Sequence, residues 1–305
     1  MKKWNIDFYG HRKLYFTISL ALIAITIIAA LVIQVNLDIQ FKGGALITYS
    51  YTGEIDHDEF LQIVESSLGM SAAIQESTDV VTGLRSFVVS VPSGGSINTD
   101  AQIALFDELT SRFADNNIET ASINVVNPTI GSSFLLKSLV AMLFASLLMI
   151  IYISIRFRKI SGWSAGITAV IALLNDLLMV FAAFVIFQMP LNANFIAVCL
   201  TILGYSLNDT IVVYDRIREN KRIIKEMPIE DMVTLSLNQS FTRTLMTSVT
   251  TIAAMIVVTV MAVIYNVDSI LSFSLPMIVG MVSGFYTSMC IAPMLWVTLQ
   301  KKREV

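Results

Sequence analysis

The chain has 305 residues, of which 55% are hydrophobic and only 14% charged, with a mean hydropathy of +0.72 and a formal net charge of -3 at pH 7. Those proportions exclude a pair of ordinary soluble domains and require much of the chain to sit in lipid, while the net charge, segregated along the chain, says little about partners. Cys199 and Cys290 both lie in apolar runs, and His11 and His57 lie in separate segments, which excludes a disulfide framework and a four-ligand metal site; no cofactor or metal is expected.

In chain order, residues 14–33 form an uncharged apolar run. At about 1.5 Å rise per residue it is long enough to cross a hydrocarbon core of roughly 30 Å. Its flank of Lys2, Lys3, Arg12 and Lys13 has the charge of a signal peptide, but the run exceeds a typical h-region and no small-residue cleavage site follows. An uncleaved anchor is expected.

The segment 34–133 reads as mixed α/β. Alternation over 45–51 predicts a strand closed by Thr52-Gly53. Asp56 predicts the N-cap of a helix with Phe60, Ile63, Val64 and Leu68 on one face and Gly69 at its end. Short strands at 73–75 and 86–91 flank a turn near Gly83. A second amphipathic helix follows Asn98 or Thr99, with Ile103, Phe106, Leu109 and Phe113 on one face, and a last strand at 122–126 returns to the membrane at Asn127-Pro128. The order β-α-β-β-α-β is the ferredoxin-like pattern. Thirteen acids against Lys42, Arg85 and Arg112 give this segment a solvated acidic surface, so nucleic acid is not an expected partner. It has no glycine-rich loop ahead of a helix and no nucleophile with a base, and no Walker motif occurs anywhere in the chain; an enzyme is not expected.

Further apolar runs cover 134–155, 163–187, 191–213, 245–264 and 271–299, which with the first predicts six transmembrane helices. Basic residues cluster at the N-terminus, at Arg156, Arg158 and Lys159, between Arg216 and Lys225, and at Lys301, Lys302 and Arg303, whereas the loops 188–190 and 265–270 have none. Positive flanks resist translocation, so both termini are expected in the cytoplasm and residues 34–133 outside it. The expected organisation is thus 1–33 as cytoplasmic N-terminus and first span, 34–133 as an extracytoplasmic ferredoxin-like domain, and 134–305 as spans two to six with cytoplasmic loops and tail. Pro276 and Pro293 are expected to kink or shorten the last span, and the Gly280/Gly284 spacing favours close helix contact.

Charged groups in lipid cost on the order of 2.5 to 3.5 kcal/mol, so those present need a reason. Asp176 sits near the middle of the third run. Asp209, in Asn208-Asp209-Thr210, sits about one turn inside the cytoplasmic end of the fourth, and Arg243 begins the fifth among Ser240, Thr244, Ser248 and Thr251. These groups either line a polar path, where a carboxylate hidden from water gains and loses a proton as a guanidinium approaches or retreats, or they are hydrogen-bonding groups between packed helices, with Gly204, Ser206 and Ser248 allowing close approach. An arginine at a span's start can also snorkel to the interface.

The stretch Gly204-Tyr205-Ser206-Leu207-Asn208-Asp209-Thr210-Ile211-Val212-Val213-Tyr214-Asp215-Arg216-Ile217-Arg218-Glu219-Asn220 resembles the fourth-span signature of the SecF branch of the SecD/SecF family, protein-export subunits within the RND superfamily. Phe41-Lys42-Gly43-Gly44, the run 236–248 with Asn238, Arg243 and Thr244, and Ser283-Gly284 through Pro293 match in the same order. The resemblance implies a six-helix half of an RND-type assembly, with a SecD-like subunit in a separate chain, the Sec channel, the exported polypeptide, membrane lipid and an insertase as partners, working in the bacterial cytoplasmic membrane. It implies that the proton gradient, or a sodium gradient, drives export; that Asp209 is the ion-carrying carboxylate, with Arg243 modulating it and Asn208 and Asp176 beside it; and that Phe41, Gly43, Gly44 and Gly204 are structural. Gln40 stands where the family motif has an aspartate, Asn175 where a histidine is common, and the Asn127–Ser133 stretch lacks the usual glutamate. The competing readings are a scaffold joining channel and insertase without carrying ions, and an RND-like exporter of small or lipidic substrates.

Overall fold

The computed structural model describes residues 5–78, 84–92, 99–126, 128–224, 226–265 and 267–304. The expected turn at Gly83 and the candidate residues Asn98 and Asn127 fall outside them. Helix α1 (Arg12–Ile33) leads through a single turn, α2 (Ile39–Lys42), into the α+β domain: β1 (Gly44–Tyr51), α3 (His57–Leu68), β2 (Ala73–Thr78), β3 (Arg85–Pro92), α4 (Thr99–Arg112) and β4 (Glu119–Val126). The sheet order is β2-β3-β1-β4 with every neighbouring pair antiparallel, which is the ferredoxin-like arrangement.

Local chemistry accounts for these elements. The Asp56 carboxylate accepts from the amides of Asp58 and Glu59 to start α3, and Gly69, at a φ of 64°, ends it. Alternate residues of β1, Ala45, Ile47, Tyr49 and Tyr51, are buried, and register pairs Ile47 with Val89 and Tyr49 with Phe87 across the β1–β3 ladder. Phe60 of α3 closes the core at 4.5 Å from the Phe87 ring, and Val64, Leu105 and Leu109 fill the rest. On α4 the inward position is Leu105 rather than the expected Ile103, which is 54% exposed. Leu105 and Leu109 are one turn apart and share the face that meets the sheet; Ile103 lies off that face. Burial pushes the Tyr49 phenol up to about 12. The Tyr51 phenol is also raised, first by burial and then by the Glu76 carboxylate that accepts its proton at 2.7 Å, so neither ring is charged at neutral pH.

The chain re-enters the bundle as α5 (Pro128–Arg156), which begins inside the segment assigned by hydropathy to the domain. It continues as α6 (Gly162–Ile186), α7 (Ala193–Ile223), α8 (Ile229–Ile264) and a last segment built of α9 (Asp268–Tyr286), a π turn (Thr287–Ile291) and α10 (Ala292–Glu304). Among the described residues, six helical stretches are long and apolar enough to cross a membrane. The central ones are α6, α7 and the α9–α10 segment, while α1, α5 and α8 flank them and leave most of their surface open. Gly280 belongs to that close packing, since a Cβ there would lie 2.7 Å from Ile202 and 2.8 Å from Val180.

Two helices run further than their apolar stretches. Helix α7 continues to Ile223 and α8 starts at Ile229, so Arg216–Glu219 and Arg218–Asp215 are i,i+3 pairs on a helix that leaves the apolar layer, rather than loop charges. Arg243 therefore lies well inside α8, not at its start, and Asp209 lies several turns from the end of α7. The N-terminal segment packs against the same end: Phe8 is buried, and the Asn238 amide exchanges paired 2.9 Å hydrogen bonds with the Ile6 backbone.

Candidate functional site: two buried carboxylates between the central helices

Asp176, on α6, is fully buried and held by hydroxyls from two other helices. Ser206 on α7 donates to Oδ2 at 2.6 Å, Ser283 on α9 donates to Oδ1 at 2.6 Å, and Thr287 in the π turn lies 2.9 Å from both oxygens. The π turn matters here because its wider winding lets two consecutive residues face inward. Thr287 meets Asp176, while Ser288 donates to the Ser206 carbonyl at 3.0 Å and shares a 2.8 Å bond with Thr210. Asn175 extends the network to α1, its side-chain oxygen accepting from Ser19 at 2.8 Å.

Asp209 lies one turn along α7 from Ser206 and is also buried, at 2% exposure. Among the described residues its carboxylate has one side-chain hydrogen bond, from Ser248 on α8 at 3.3 Å. Ser240, Thr244, Ser248 and Thr251 recur along the α8 face that meets α7, and Thr251 shares a 2.8 Å bond with the Tyr205 hydroxyl. Most threonines of α8 return their hydroxyl to the carbonyl one turn back, as Thr247 does to Arg243 at 2.9 Å. The Thr244 hydroxyl is buried with no hydrogen-bond partner among the described residues, one turn from the donor to Asp209. A buried charge needs several donors to offset its lost hydration. Asp176 has them; Asp209 has few bonds to lose on taking up a proton.

The remaining sequence-predicted residues are not all gathered here. Arg243 is exposed on α8, about a quarter turn round the helix from Thr244, and among the described residues it makes no ion pair with Asp209 or any other acid. Asn208 and Gly204 are exposed on the outer face of α7, and a Cβ on Gly204 would meet nothing within 4 Å, so Gly204 makes no close approach inside this chain. Ser283, Thr287, Ser288 and Thr210 were not singled out as site residues. The signal of Ser283, Thr287 and Ser288 is the stripe of small hydroxyls on the last span, and that of Thr210 its place next to Asp209; hydropathy alone reads both as ordinary polar spacing.

Phe41, Gly43 and Gly44 build the joint between domain and bundle. Phe41 is buried with Phe184, Leu191 and Ile202 and stacks on Phe134 at 5.7 Å. Gly44 adopts a φ of +145° and a Cβ there would come within 2.2 Å of the Val91 carbonyl, so the strand can start directly from this turn only with glycine. Gly131 on α5 is matched to it: a Cβ would sit 2.9 Å from the carbonyls of Gln40 and Phe41. Leu37 and Leu191 form a parallel bridge to the α6–α7 loop. Gln40 uses its side-chain oxygen to accept from the Ala193 amide at 3.0 Å. Ala193 is the first residue of α7, so Gln40 supplements the Asn192 cap of the helix that carries Asp209.

Comparison with known proteins agrees with this architecture. Residues 106–302 match the family model described as protein export membrane protein SecD/SecF, C-terminal. The chain is 32% identical over 294 residues to the protein translocase subunit SecF of Rhodothermus marinus, covering 94% of this chain and 91% of that protein. It is 35% identical over 315 residues to the protein translocase subunit SecDF of Bacillus subtilis, covering 100% of this chain and 39% of that protein. Against the crystal structure of SecDF, a translocon-associated membrane protein from Thermus thermophilus, the TM-score is 0.81 at 26% identity, covering 98% of this chain and 39% of that one. The chain thus spans about two fifths of the SecDF proteins it matches.

The two acids are expected to differ in what their removal does to stability. At about 0.6 kcal/mol per intramembrane hydrogen bond, the Asp176 set is worth roughly 2 kcal/mol and the Asp209 bond well under 1. Thermal unfolding of the purified protein in detergent should show Asp176→Ala melting clearly below wild type and Asp209→Ala close to it; equal midpoints would contradict this difference. Gln40→Ala removes a bond worth about 1 kcal/mol, so amide exchange at the first turn of α7 should quicken roughly fivefold by mass spectrometry. Unchanged exchange there would mean Asn192 caps the helix unaided.

Proposed function

The chain belongs to the SecD/SecF family of protein-export membrane proteins, and from that premise we propose that it is the SecF half of a translocase in which proton passage at Asp209 moves the α+β domain to draw exported polypeptide outward. The observation that carries this reading is the asymmetry of the two acids. Asp176 is locked by three hydroxyls, whereas among the described residues Asp209 is buried against α8 with a single 3.3 Å side-chain bond and a Thr244 hydroxyl without a partner on the same face. A change of protonation there alters the attraction between α7 and α8, and the far end of α7 is tied through Gln40 and Leu191 to the base of the domain. Work would come from that movement, not from catalysis.

The same reading gives the exposed faces a use. Thr201, Gly204 and Asn208 form an uncovered polar stripe along α7, and Arg243 lies on an uncovered face of α8. A SecD-like half in a separate chain would cover them, since relatives that carry both halves in one polypeptide are more than twice as long as this chain. Arg243 would then act on Asp209 only through a rearrangement of α7 and α8 or across that interface. The basic flanks support cytoplasmic termini and an extracytoplasmic domain in the inner membrane, with the Sec channel and an insertase as neighbours.

The test is export into inverted membrane vesicles energised by a proton gradient, with a sodium gradient run in parallel. Asp209→Asn should abolish the gradient-dependent part of export and leave the ATP-dependent part intact. Undiminished gradient-dependent export would remove Asp209 from the mechanism and leave the scaffold reading, in which the protein joins its partners without carrying ions.

A further inference from the structure

At the end of the bundle away from the α+β domain, the last turn of α5, the turn that follows it and the last turns of α7 border an open cleft of about 810 Å³. Five cations line it: Arg156, Arg158, Arg218, Lys221 and Arg222. One carboxylate, Asp215, pairs with Arg156 at 3.1 Å and Arg218 at 2.7 Å. Both guanidiniums also lie over the Phe157 ring, at 5.4 and 5.8 Å. Among the described residues no acid lies within ion-pair distance of Arg158, Lys221 or Arg222. Positive flanks are expected beside membrane spans, but a flank needs neither a cleft walled by two helices nor two guanidiniums fixed by a shared acid.

Ile155 and Arg158 also line a second cavity, of about 580 Å³, which runs along α5 and the start of α6 past Ser154 and Trp163. Its outer wall is apolar and open, with Ile155 at 60% and Trp163 at 66% exposure. Close approach of the two helices depends on Gly162, where a Cβ would come within 2.1 Å of the Ser154 carbonyl. Ser154 lines this space, but its hydroxyl is buried in the α5–α6 contact beside Gly166, without a hydrogen-bond partner among the described residues. A basic cleft and an apolar groove ending at an exposed tryptophan adjoin one another along the surface.

We propose that these two cavities bind one anionic glycerophospholipid. The phosphate sits among Arg158, Lys221 and Arg222, and an acyl chain follows the groove past Ile155 and Trp163. Charge complementarity selects an anionic head, and the adjoining apolar wall selects a lipid over a free phosphate. This site is separate from the buried carboxylates, and its occupancy does not depend on ion coupling.

The test is native mass spectrometry of the full-length protein in detergent, titrated with phosphatidylglycerol or phosphatidylcholine. Phosphatidylglycerol should be retained at a concentration at least tenfold lower than phosphatidylcholine. The combined variant Arg158→Gln, Lys221→Gln and Arg222→Gln should erase that preference with Asp215 and its pairs left in place, while Arg158→Lys with Arg222→Lys keeps it and shows that the fold is not at issue. Glycerol 3-phosphate should not compete at concentrations that saturate the lipid; equal competition would make phosphate alone the ligand and overturn the assignment. Equal retention of both lipids would overturn it too. So would unchanged lipid retention in the combined variant together with loss of its hold on a SecD-like half, which would give the cleft to a protein partner.

Discussion

The bundle depends most on the hydroxyl cradle around Asp176. An uncompensated carboxylate in the apolar layer would cost on the order of 2.5 to 3.5 kcal/mol, and each bond from Ser206, Ser283 and Thr287 recovers part of that only while α6, α7 and α9 keep one register. The close approach at Gly280 and the π turn at Thr287 are the backbone conditions for that register. Neither is explained by apolar packing alone, because lipid tails would satisfy the same apolar surface equally well.

With α6, α7 and α9 fixed in this way, the seam between α7 and α8 holds the less bonded acid. Among the described residues Asp209 faces it with a single long side-chain bond, and the hydroxyls of Thr244 and Ser248 line it from α8. The other end of α7 is not free either, since Gln40 and the Leu37–Leu191 bridge fasten it to the turn that opens β1. On the proposed reading, a shift at the seam reaches the domain through one helix and one joint. The asymmetry between a locked acid and a lightly held acid is what such a device requires.

Much of this was legible in the sequence. Hydropathy found six spans because each apolar run is long, and alternation with capping residues found the β-α-β-β-α-β order because Asp56 and Gly69 act locally. Asp176 and Asp209 stood out because a charge in an apolar run is costly wherever it points. What the two acids touch was not legible: which hydroxyls meet them is decided by helix rotation and by a π turn that leaves no mark in composition. Rotation also explains Arg243, which neighbours Thr244 in sequence but is exposed to the side of the buried face, and Ile103, which is apolar yet outside the core. The ends of α7 and α8 were missed because helices continue past the apolar layer when ion pairs such as Arg218–Asp215 support them in water.

The central claim is that Asp209 exchanges a proton while Asp176 keeps its state. Infrared difference spectroscopy of the protein in lipid, stepped between acidic and alkaline pH, reads protonated carboxyl groups directly. The account predicts a carboxyl carbonyl band that appears with acid in wild type and in Asp176→Asn and is missing in Asp209→Asn. A band that survives Asp209→Asn and disappears in Asp176→Asn would contradict it, because the proton would then belong to the acid in the hydroxyl cradle.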